Sequence, residues 1–552
     1  MRPQRRVLVA AGLLAPLARG RAQGSPRETG MTTTSDATMA ALLLERLRHE
    51  GVGLVAARFG ASGPVALAAA QRPGAAAVSA EDQRFEIGSI TKVFVGVLLA
   101  EAVRRGEVAL ADAVEDGLDH PLRDGRGQPL RLVDLATHRS GLPRLPPNLR
   151  PAREADPYVD YGEAALREAL RDWRPTRGRD EAFEYSNFAF GLLGWLLARR
   201  AGLPFEQLVA QRLFEPLGLR VDETLALAPG HDAQGRPVPA WGFSAATAGA
   251  GALRLSAAQL ARFGQVVLGR GGHPLREALT LSLQTHSPLG PGPGVAMGLG
   301  WMLLSGPDGP LATHDGGTAG ASSSLWLALA QGRGGLVLAN AAVPVTDLAR
   351  HLVDTRSPLR DLAAEQRQAQ LPAAVVGAAA LAPLAGVYAV SPQFAIVVRA
   401  RGGQLFAQAS GQGEFELFAR DARRFFARVA VLELVFEGAD GVPPALVLHQ
   451  GGQQIRFVRT GDEPAARVLP PAALLPLVGV YALNPAFRLT LRAEGSRLFA
   501  QATGQAEFEL FAQGDRSFVA RVAALSLRFE AGDPSPALWL TQAGRELRFV
   551  RE

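Results

Sequence analysis

The hydrophobic pattern of residues 31–358 predicts one large unit that mixes helices and strands. The segment TMAALLLERLRHEG has apolar positions at helical spacing and stops at Gly51, and the strand-like segments GVGLVAARFG and PVALAAAQR follow it. Near the far end, SSSLWLALA and GGLVLANAA are again strand-like and precede the amphipathic segment VTDLARHLVD. Because strand-like segments lie at both ends, we expect an α/β unit whose sheet is completed by distant parts of the chain.

The pattern changes after residue 358. Residues 359–383 are rich in Ala, Gln and Pro and are interpreted as a linker. Beyond them the chain repeats itself, since GVYAVSPQF at 386 recurs as GVYALNPAF at 479, and LFAQASGQGEFELFA at 405 recurs as LFAQATGQAEFELFA at 498. Each copy contains about eight short alternating segments, enough to close a small barrel. We therefore predict two all-β, eight-stranded barrel domains, at 384–460 and 475–552.

Composition limits the classes of function. The chain has 552 residues, of which 47% are hydrophobic and 20% charged, as in multidomain globular proteins. Its net charge of +6 is spread over arginines that stand singly among acidic residues, so nucleic acid is not an expected partner. The absence of cysteine excludes disulfides, thiolate catalysis and cysteine-ligated metals.

Residues 1–22 have the pattern of an export signal. A basic MRPQRR precedes the apolar run VLVAAGLLAPLA, and small residues follow near Ala22. An apolar run of 12 residues is too short for a helix that spans a bilayer, so no stable membrane span is expected. Arg5 and Arg6 lack the usual neighbours of a twin-arginine signal, which leaves the export route open. We expect a periplasmic or secreted protein.

The first candidate for chemistry is the only lysine of the chain. Lys and Arg together number 58, yet Lys92 alone is lysine, three residues after Ser89 in GSITKVF. A lysine amine can lose its proton when it is desolvated, which arginine cannot do, and such an amine beside a hydroxyl can activate a nucleophile. The following apolar positions predict a helix with Ser89 near its N-terminus and Lys92 one turn on. The alternative is an N-cap serine with a solvated lysine.

Two further segments carry candidate groups. In FEYSNF, an extended approach to a helix would send Tyr185 and Asn187 to one side and Ser186 to the other, although Tyr185 could merely pack and Asn187 merely cap the helix. In ATHDGGTAG, His314 enters a glycine-rich strand edge where Gly316 and Gly317 would let a substrate approach the backbone, or where the chain simply turns.

The order Ser-x-x-Lys, Tyr-Ser-Asn, His-x-Gly resembles that of the penicillin-recognising serine hydrolases: class C β-lactamases, penicillin-binding proteins, D-aminopeptidases and esterases. The resemblance covers residues 35–355 and includes LVDLATHRSGLP and MGLGW. It implies an α+β β-lactamase/transpeptidase-like fold, with an antiparallel sheet and a helical region that enclose the site.

The resemblance also implies roles for individual residues. Ser89 would be the nucleophile, Lys92 its activator and Tyr185 the base of the second motif. Asn187, His314 and Gly316 would contact substrate, and the N–H groups of Ser89 and Gly317 would form the oxyanion hole. His138 in ATHRSGLP is assigned to structure. No metal or other cofactor is implied.

The third motif departs from the family pattern, because His314-Asp315-Gly316 replaces the usual Lys-Thr-Gly or Lys-Ser-Gly. A neutral imidazole in place of a permanent cation weakens the case for β-lactam hydrolysis and favours a peptidase or esterase. The expected substrate is a small peptide, a D-amino-acid derivative, an ester or a β-lactam-like compound. The alternatives are a penicillin-binding or sensor protein that is acylated without turnover, or a true β-lactamase.

The two barrels could restrict access to the site, bind a ligand or stabilise the chain. The sequence does not indicate an oligomeric state.

Overall fold

The computed structural model describes residues 36–552 apart from fourteen short gaps, so the predicted signal segment 1–22 lies outside the described residues. The gaps are residues 176–177, 182, 220–224, 270, 289, 291–293, 392–393, 410–413, 451–452, 464–466, 485–486, 503–507, 521–524 and 543–544. The described chain divides after Arg360 into two compact units.

A seven-stranded antiparallel sheet forms the centre of the first unit, in the order β2-β1-β12-β11-β10-β9-β8. The strands of this unit are β1 (Gly53–Gly60), β2 (Ala66–Gln71), β3 (Gln83–Glu86), β4 (Ala226–Leu227), β5 (Gly230–His231), β6 (Pro237–Val238), β7 (Arg254–Leu255), β8 (Val295–Met297), β9 (Met302–Gly306), β10 (Gly309–Gly317), β11 (Ser322–Ala328) and β12 (Arg333–Ala339). Strand β1 pairs with β12 in the register Leu54↔Ala339. Distant ends of the unit therefore complete one sheet, as the sequence predicted.

Helices cover both faces of this sheet. They are α1 (Asp36–Leu47), α2 (Thr91–Arg104), α3 (Leu132–Ala136), α4 (Glu163–Asp172), α5 (Asn187–Ala201), α6 (Phe205–Val209), α7 (Glu215–Leu217), α8 (Ala248–Gly251), α9 (Ala257–Leu268), α10 (Arg276–Ser282) and α11 (Thr346–Val353). Alternate residues of β1 belong to different apolar clusters, since Leu54 packs with α1 and α11 while Val55 packs with α2 and α9. Both faces of the central strands β1, β11 and β12 are thus mostly buried, in keeping with the apolar residues along them.

Helix α2 lies inside the larger cluster rather than at its surface. Every residue from Thr91 to Ala102 is buried, including polar ones. Two glycines make this depth possible, because a Cβ on Gly96 would lie 2.0 Å from the carbonyl oxygen of Leu299, and one on Gly300 would lie 2.3 Å from that of Lys92. The backbone of the 299–300 turn therefore packs directly against the helix that follows Ser89.

The second unit contains the two predicted barrels, each closed from eight antiparallel strands. The first comprises β13 (Gly386–Ser391), β14 (Phe394–Arg401), β15 (Gln404–Ala409), β16 (Phe415–Ala419), β17 (Arg424–Ala427), β18 (Leu432–Phe436), β19 (Ala445–Gln450) and β20 (Gln453–Gly461). The second comprises β21 (Gly479–Asn484), β22 (Phe487–Glu494), β23 (Arg497–Ala502), β24 (Phe508–Gly514), β25 (Ser517–Ala520), β26 (Leu525–Phe529), β27 (Ala537–Gln542) and β28 (Arg545–Arg551). The predicted fold class, an α+β unit followed by two eight-stranded barrels, is confirmed.

The duplication extends to buried polar contacts. Tyr388 and Tyr481 occupy equivalent positions in the two barrels and are fully buried. Each donates its hydroxyl to the carbonyl of the residue four positions earlier, Leu384 at 2.8 Å and Leu477 at 3.1 Å. A buried phenol needs such an acceptor, and both barrels satisfy it with the same hydrogen bond to the backbone.

The segment 359–383, interpreted above as a linker, contains α12 (Leu362–Gln370) and α13 (Ala378–Leu381), and α14 (Pro471–Leu474) precedes the second barrel. Gln368 on α12 is buried, and its Nε2 lies within 3.0 Å of the carbonyl oxygens of Ala427, Ala430 and Leu432. The segment thus contains a helix that is attached to the first barrel through the side-chain amide of Gln368.

None of the helices in the described part of the chain has the length and apolar character that a membrane span requires.

Candidate active site

Ser89 lies on a 3-10 turn, Gly88–Ile90, which joins β3 to α2. The turn begins with Gly88 at φ +48°, a conformation that residues with a Cβ rarely adopt. The helix continues directly, so Lys92 stands one turn after Ser89, as the sequence predicted. Ser89 is partly exposed while its neighbours Gly88 and Ile90 are buried, which leaves its hydroxyl accessible on an otherwise fixed turn.

Strand β10 passes close to this turn because two glycines lack side chains. A Cβ on Gly316 would lie 2.0 Å from the carbonyl oxygen of Ile87, and a Cβ on Gly88 would lie 2.6 Å from the backbone nitrogen of Gly317. Ser323 on the neighbouring strand β11 fixes the approach further, since its hydroxyl donates to the carbonyl of Ile87 at 2.8 Å. The third motif therefore lies beside the Ser89 turn through backbone contact.

Lys92 is fully buried, and its Nζ lies 2.9 Å from Oγ of Ser89 and 2.6 Å from the carbonyl oxygen of Ala250. Burial, reinforced by the positive charge of Arg144, lowers the pKa of Lys92 well below its ordinary value of 10.5. The side chain is therefore not the solvated lysine of the alternative interpretation. It is an amine whose neutral form is favoured by burial, at hydrogen-bonding distance from a hydroxyl.

Tyr185 is the third group in contact with this pair. Its hydroxyl hydrogen-bonds to the side chain of Ser89, and the Nζ of Lys92 lies 5.0 Å from its ring centroid. Burial raises the pKa of Tyr185 above its ordinary value of 10, so the residue is a neutral phenol. A charged Lys92 would oppose that shift, but the burial that raises the tyrosine pKa also favours the neutral amine.

His138 supports Tyr185 from the side. Its ring stacks on that of Tyr185, with centroids 4.4 Å apart and planes inclined by 29°. The backbone N–H of Ser186 donates to its Nδ1 at 3.0 Å, so the proton of the neutral imidazole is on Nε2. Burial lowers the pKa of His138 well below its usual value, which keeps the ring neutral.

Asn187, at the start of α5, makes its side-chain hydrogen bond to a tyrosine outside the group around Ser89. Its Nδ2 donates to the hydroxyl of Tyr158 at 2.9 Å, and its buried Oδ1 has no hydrogen-bond partner among the described residues. The N-cap of α5 is Ser186, whose Oγ accepts the N–H of Ala189. Because the neighbouring serine caps the helix, the amide of Asn187 is available to a ligand.

His314 faces the site and Asp315 faces away from it, as alternation along a strand requires. The rings of His314 and Tyr185 lie 6.2 Å apart between centroids, whereas the carboxylate of Asp315 accepts hydrogen bonds from Ser324 at 2.5 Å and Thr346 at 2.7 Å. Burial is the main cause that lowers the pKa of His314 to about 3. The imidazole is therefore neutral, with Nδ1 2.7 Å from the carbonyl oxygen of its neighbour and Nε2 unpartnered within the described chain.

Sequence reasoning missed several residues around these groups. Arg144 lies with its guanidinium carbon 5.3 Å from the Tyr185 ring centroid, and Tyr158 stacks on Phe243 at 5.3 Å. Buried Glu86 accepts the backbone N–H of Trp241 at 2.8 Å and the hydroxyl of Thr318 at 3.1 Å, which ties the end of β10 to another loop. None of these residues has a local spacing that marks it in the sequence.

The assembled groups can perform nucleophilic chemistry. A hydroxyl, a neutral amine and a neutral phenol are in mutual contact, and the backbone nitrogen of Gly317 lies beside the turn that carries the hydroxyl. This set can accept a proton from the hydroxyl, stabilise an oxyanion and return the proton. The structure thus brings Ser89, Lys92, Tyr185, His314, Gly316 and Gly317 together, while the side chain of Asn187 is hydrogen-bonded to Tyr158.

Comparison with known proteins finds chains of similar sequence. A "Beta-lactamase" of Pseudomonas fluorescens is 30% identical over 236 residues, which is 41% of this chain and 62% of the relative, less than two thirds of its length. The "D-alanyl-D-alanine-carboxypeptidase/endopeptidase AmpH" of Escherichia coli K12 is 26% identical over 305 residues, 52% of this chain and 75% of the relative.

Solved structures share the fold. The "Beta-Lactamase/D-Alanine Carboxypeptidase from Pseudomonas syringae" superposes with a TM-score of 0.50 at 22% identity, over 59% of this chain and 98% of that one. At that identity the likeness shows the fold alone. The family model described as Beta-lactamase matches residues 43–360, which is more than half of the chain, so this protein belongs to the Beta-lactamase family.

Proposed function

We propose that this protein is an exported serine hydrolase that cleaves an ester or amide bond through an acyl-enzyme on Ser89. The observation that carries the proposal is the contact between Ser89 Oγ and the buried, neutral Lys92 Nζ at 2.9 Å. A neutral amine in that position is a base for the serine proton, whereas a protonated lysine or an arginine would not be.

The proposed acylation begins when Ser89 Oγ attacks the carbonyl carbon and its proton passes to Lys92. The oxyanion of the tetrahedral intermediate is held by the backbone N–H groups of Ser89 and Gly317, on the turn and on β10. Collapse of the intermediate breaks the bond to the leaving group, which takes the proton from Lys92 through the hydroxyl of Tyr185, with His314 nearby. Water then attacks the acyl-enzyme by the reverse sequence of proton transfers and releases the acid.

The substrate is proposed to be an ester or a small amide rather than a β-lactam. At the third motif the neutral His314 provides no permanent charge, while the free Oδ1 of Asn187 can accept an N–H from an amide substrate. The names of the relatives include both a β-lactamase and a D-alanyl-D-alanine-carboxypeptidase, so both activities belong in the substrate panel.

The direct test compares wild type with Ser89→Ala on a 4-nitrophenyl ester, a D-Ala-D-Ala peptide, a D-amino-acid amide and a chromogenic cephalosporin. Wild type should turn over at least one of the first three and add an acyl mass to the peptide that contains Ser89. The variant should lose both turnover and labelling by a fluorophosphonate probe. Undiminished turnover by Ser89→Ala would refute the mechanism.

One observation favours a second candidate, a sensor that is acylated and not released. Tyr185 has a raised pKa, so the site holds no phenolate ready to activate the deacylating water. Pre-steady-state kinetics separates the candidates, because a hydrolase releases many equivalents of nitrophenol and a sensor stops after one.

Export is a separate proposal, supported by the basic and apolar pattern of residues 1–22. Expression in a Gram-negative host should give a periplasmic protein whose mature N-terminus, read by mass spectrometry, lies near Gln23. A full-length chain that stays in the cytosol would contradict the proposal.

A further inference from the structure

We propose that the guanidinium of Arg144 forms an anion-binding subsite beside the catalytic groups, and that the preferred ester or amide carries a carboxylate that pairs with it. This inference rests on the proposed function and adds a substrate class to it. It is supported by the position of the Arg144 side chain, by the lack of an ion-pair partner for it among the described residues, and by the charge states of the neighbouring basic groups.

The base of the Arg144 side chain is fixed relative to the site. Its carbonyl oxygen accepts the N–H of Asn187 at 2.9 Å and that of Phe188 at 3.4 Å, both at the start of α5. The preceding Pro143 carbonyl accepts the hydroxyl of Ser186 at 2.7 Å. The loop that carries Arg144 is thus tied to the segment that carries Tyr185, and the guanidinium carbon lies 5.3 Å from the centroid of the Tyr185 ring.

Arg144 is exposed, and no carboxylate of the described residues forms an ion pair with it. Nearby arginines of the same region differ, since Arg131 pairs with Asp134 at 2.8 Å and Arg139 pairs with Asp180. The carboxylate of Asp315 is turned away and bonded to Ser324 and Thr346. The described part of the site therefore leaves the charge of Arg144 uncompensated.

Burial favours the neutral forms of the other basic side chains that surround Tyr185. Burial holds the pKa values of Lys92, His138 and His314 below their ordinary values, and the charge of Arg144 contributes to the shift at Lys92 and at His138. The guanidinium of Arg144 therefore supplies a permanent positive charge beside Tyr185. A planar guanidinium with its donors free pairs best with a carboxylate, in a bidentate geometry.

The test uses two pairs of esters that differ only in charge. In one pair, mono-4-nitrophenyl glutarate and its methyl ester, the carboxylate is on the acyl side; in the other, 3-acetoxybenzoate and its methyl ester, it is on the leaving group. Wild type should prefer the anionic member of at least one pair by about tenfold in kcat/KM, as expected for a hydrogen-bonded charge pair. Arg144→Gln should remove that preference, and Arg144→Lys should retain part of it.

The ratio between charged and neutral esters is the readout, because Arg144 also affects the base Lys92 and could alter all rates together. Arg171→Gln is the matched control, since it removes an exposed arginine near the end of α4 and should leave the ratio unchanged. Ser89-dependent hydrolysis with no charge preference, or a preference that survives in Arg144→Gln, would overturn the subsite alone. Failure of wild type to hydrolyse any of these esters would overturn the subsite, and failure on the D-Ala-D-Ala peptide and the D-amino-acid amide as well would overturn the proposed function.

Discussion

The side-chain nitrogen of Lys92 lies 2.6 Å from the carbonyl oxygen of Ala250 as well as 2.9 Å from Oγ of Ser89. A neutral amine can donate one N–H to the carbonyl and still direct its lone pair at the hydroxyl. The carbonyl thus orients the amine, and burial keeps it neutral. The only lysine of the chain thus lies where burial favours an amine without charge.

The burial of Lys92 predicts a pH dependence of stability. The folded chain holds this amine neutral, while the unfolded chain protonates it up to about pH 10.5, so unfolding takes up a proton at pH values between the folded and unfolded pKa. Within that window the stability of wild type relative to Lys92→Met should rise with pH, by up to about 1.4 kcal/mol per pH unit. Thermal unfolding of both proteins between pH 6 and 10 measures this difference. A difference that does not change with pH would mean that Lys92 is charged in the folded protein.

The two glycines of the third motif provide a matched pair of variants. Gly316→Ala would place a Cβ 2.0 Å from the carbonyl oxygen of Ile87, whereas the nearest atom to a Cβ on Gly317 is 3.7 Å away, the carbonyl oxygen of Ala321. Gly316→Ala should therefore lower the free energy of unfolding by about 1–3 kcal/mol, the usual cost of forcing packed groups apart, and Gly317→Ala by much less. Chemical denaturation of wild type and the two variants measures these losses in the free energy of unfolding. Equal losses of stability would show that β10 does not approach the Ser89 turn so closely.

His138 should be intolerant of apolar replacement even though it makes no contact with Ser89 in the proposed mechanism. Its backbone has φ +58°, and its Nδ1 accepts the buried N–H of Ser186. His138→Leu leaves that N–H without an acceptor and should lower the free energy of unfolding by about 2 kcal/mol, and it should reduce kcat because Tyr185 loses its stacked neighbour. His138→Asn, which tolerates positive φ and retains an acceptor, should be the more stable of the two. Measured Tm values in the opposite order would contradict the assigned role.

Much of this arrangement is predictable because it is local or repeated. The spacing of Ser89 and Lys92 places them one helical turn apart whatever the rest of the fold does. The barrels follow from a duplication that preserves alternating segments and even the buried tyrosines Tyr388 and Tyr481. The approach of Tyr185 and His314 to Ser89 depends on long-range packing, and only the family resemblance indicated it.

Other parts were not predictable because nothing in the sequence near them carries the information. Arg144 acquires its position from hydrogen bonds to the start of α5, about forty residues later in the chain. The carbonyl of Ala250, which contacts Lys92, is a backbone group of a short helix, and no residue type marks it in the sequence. The protonation states of the site also depend on burial, which residue types alone do not reveal. Burial lowers the pKa of the Lys92 amine and raises that of the Tyr185 phenol.

The measurement that tests the central claim most directly is the rate of Lys92→Arg on a 4-nitrophenyl ester that wild type hydrolyses. Arginine keeps a long basic side chain at this position but cannot become neutral, so kcat/KM should fall by at least about 100-fold, the usual contribution of a general base. A folded Lys92→Arg protein, verified by its circular dichroism spectrum and Tm, with a rate near that of wild type would contradict the claim that this lysine acts as a neutral amine.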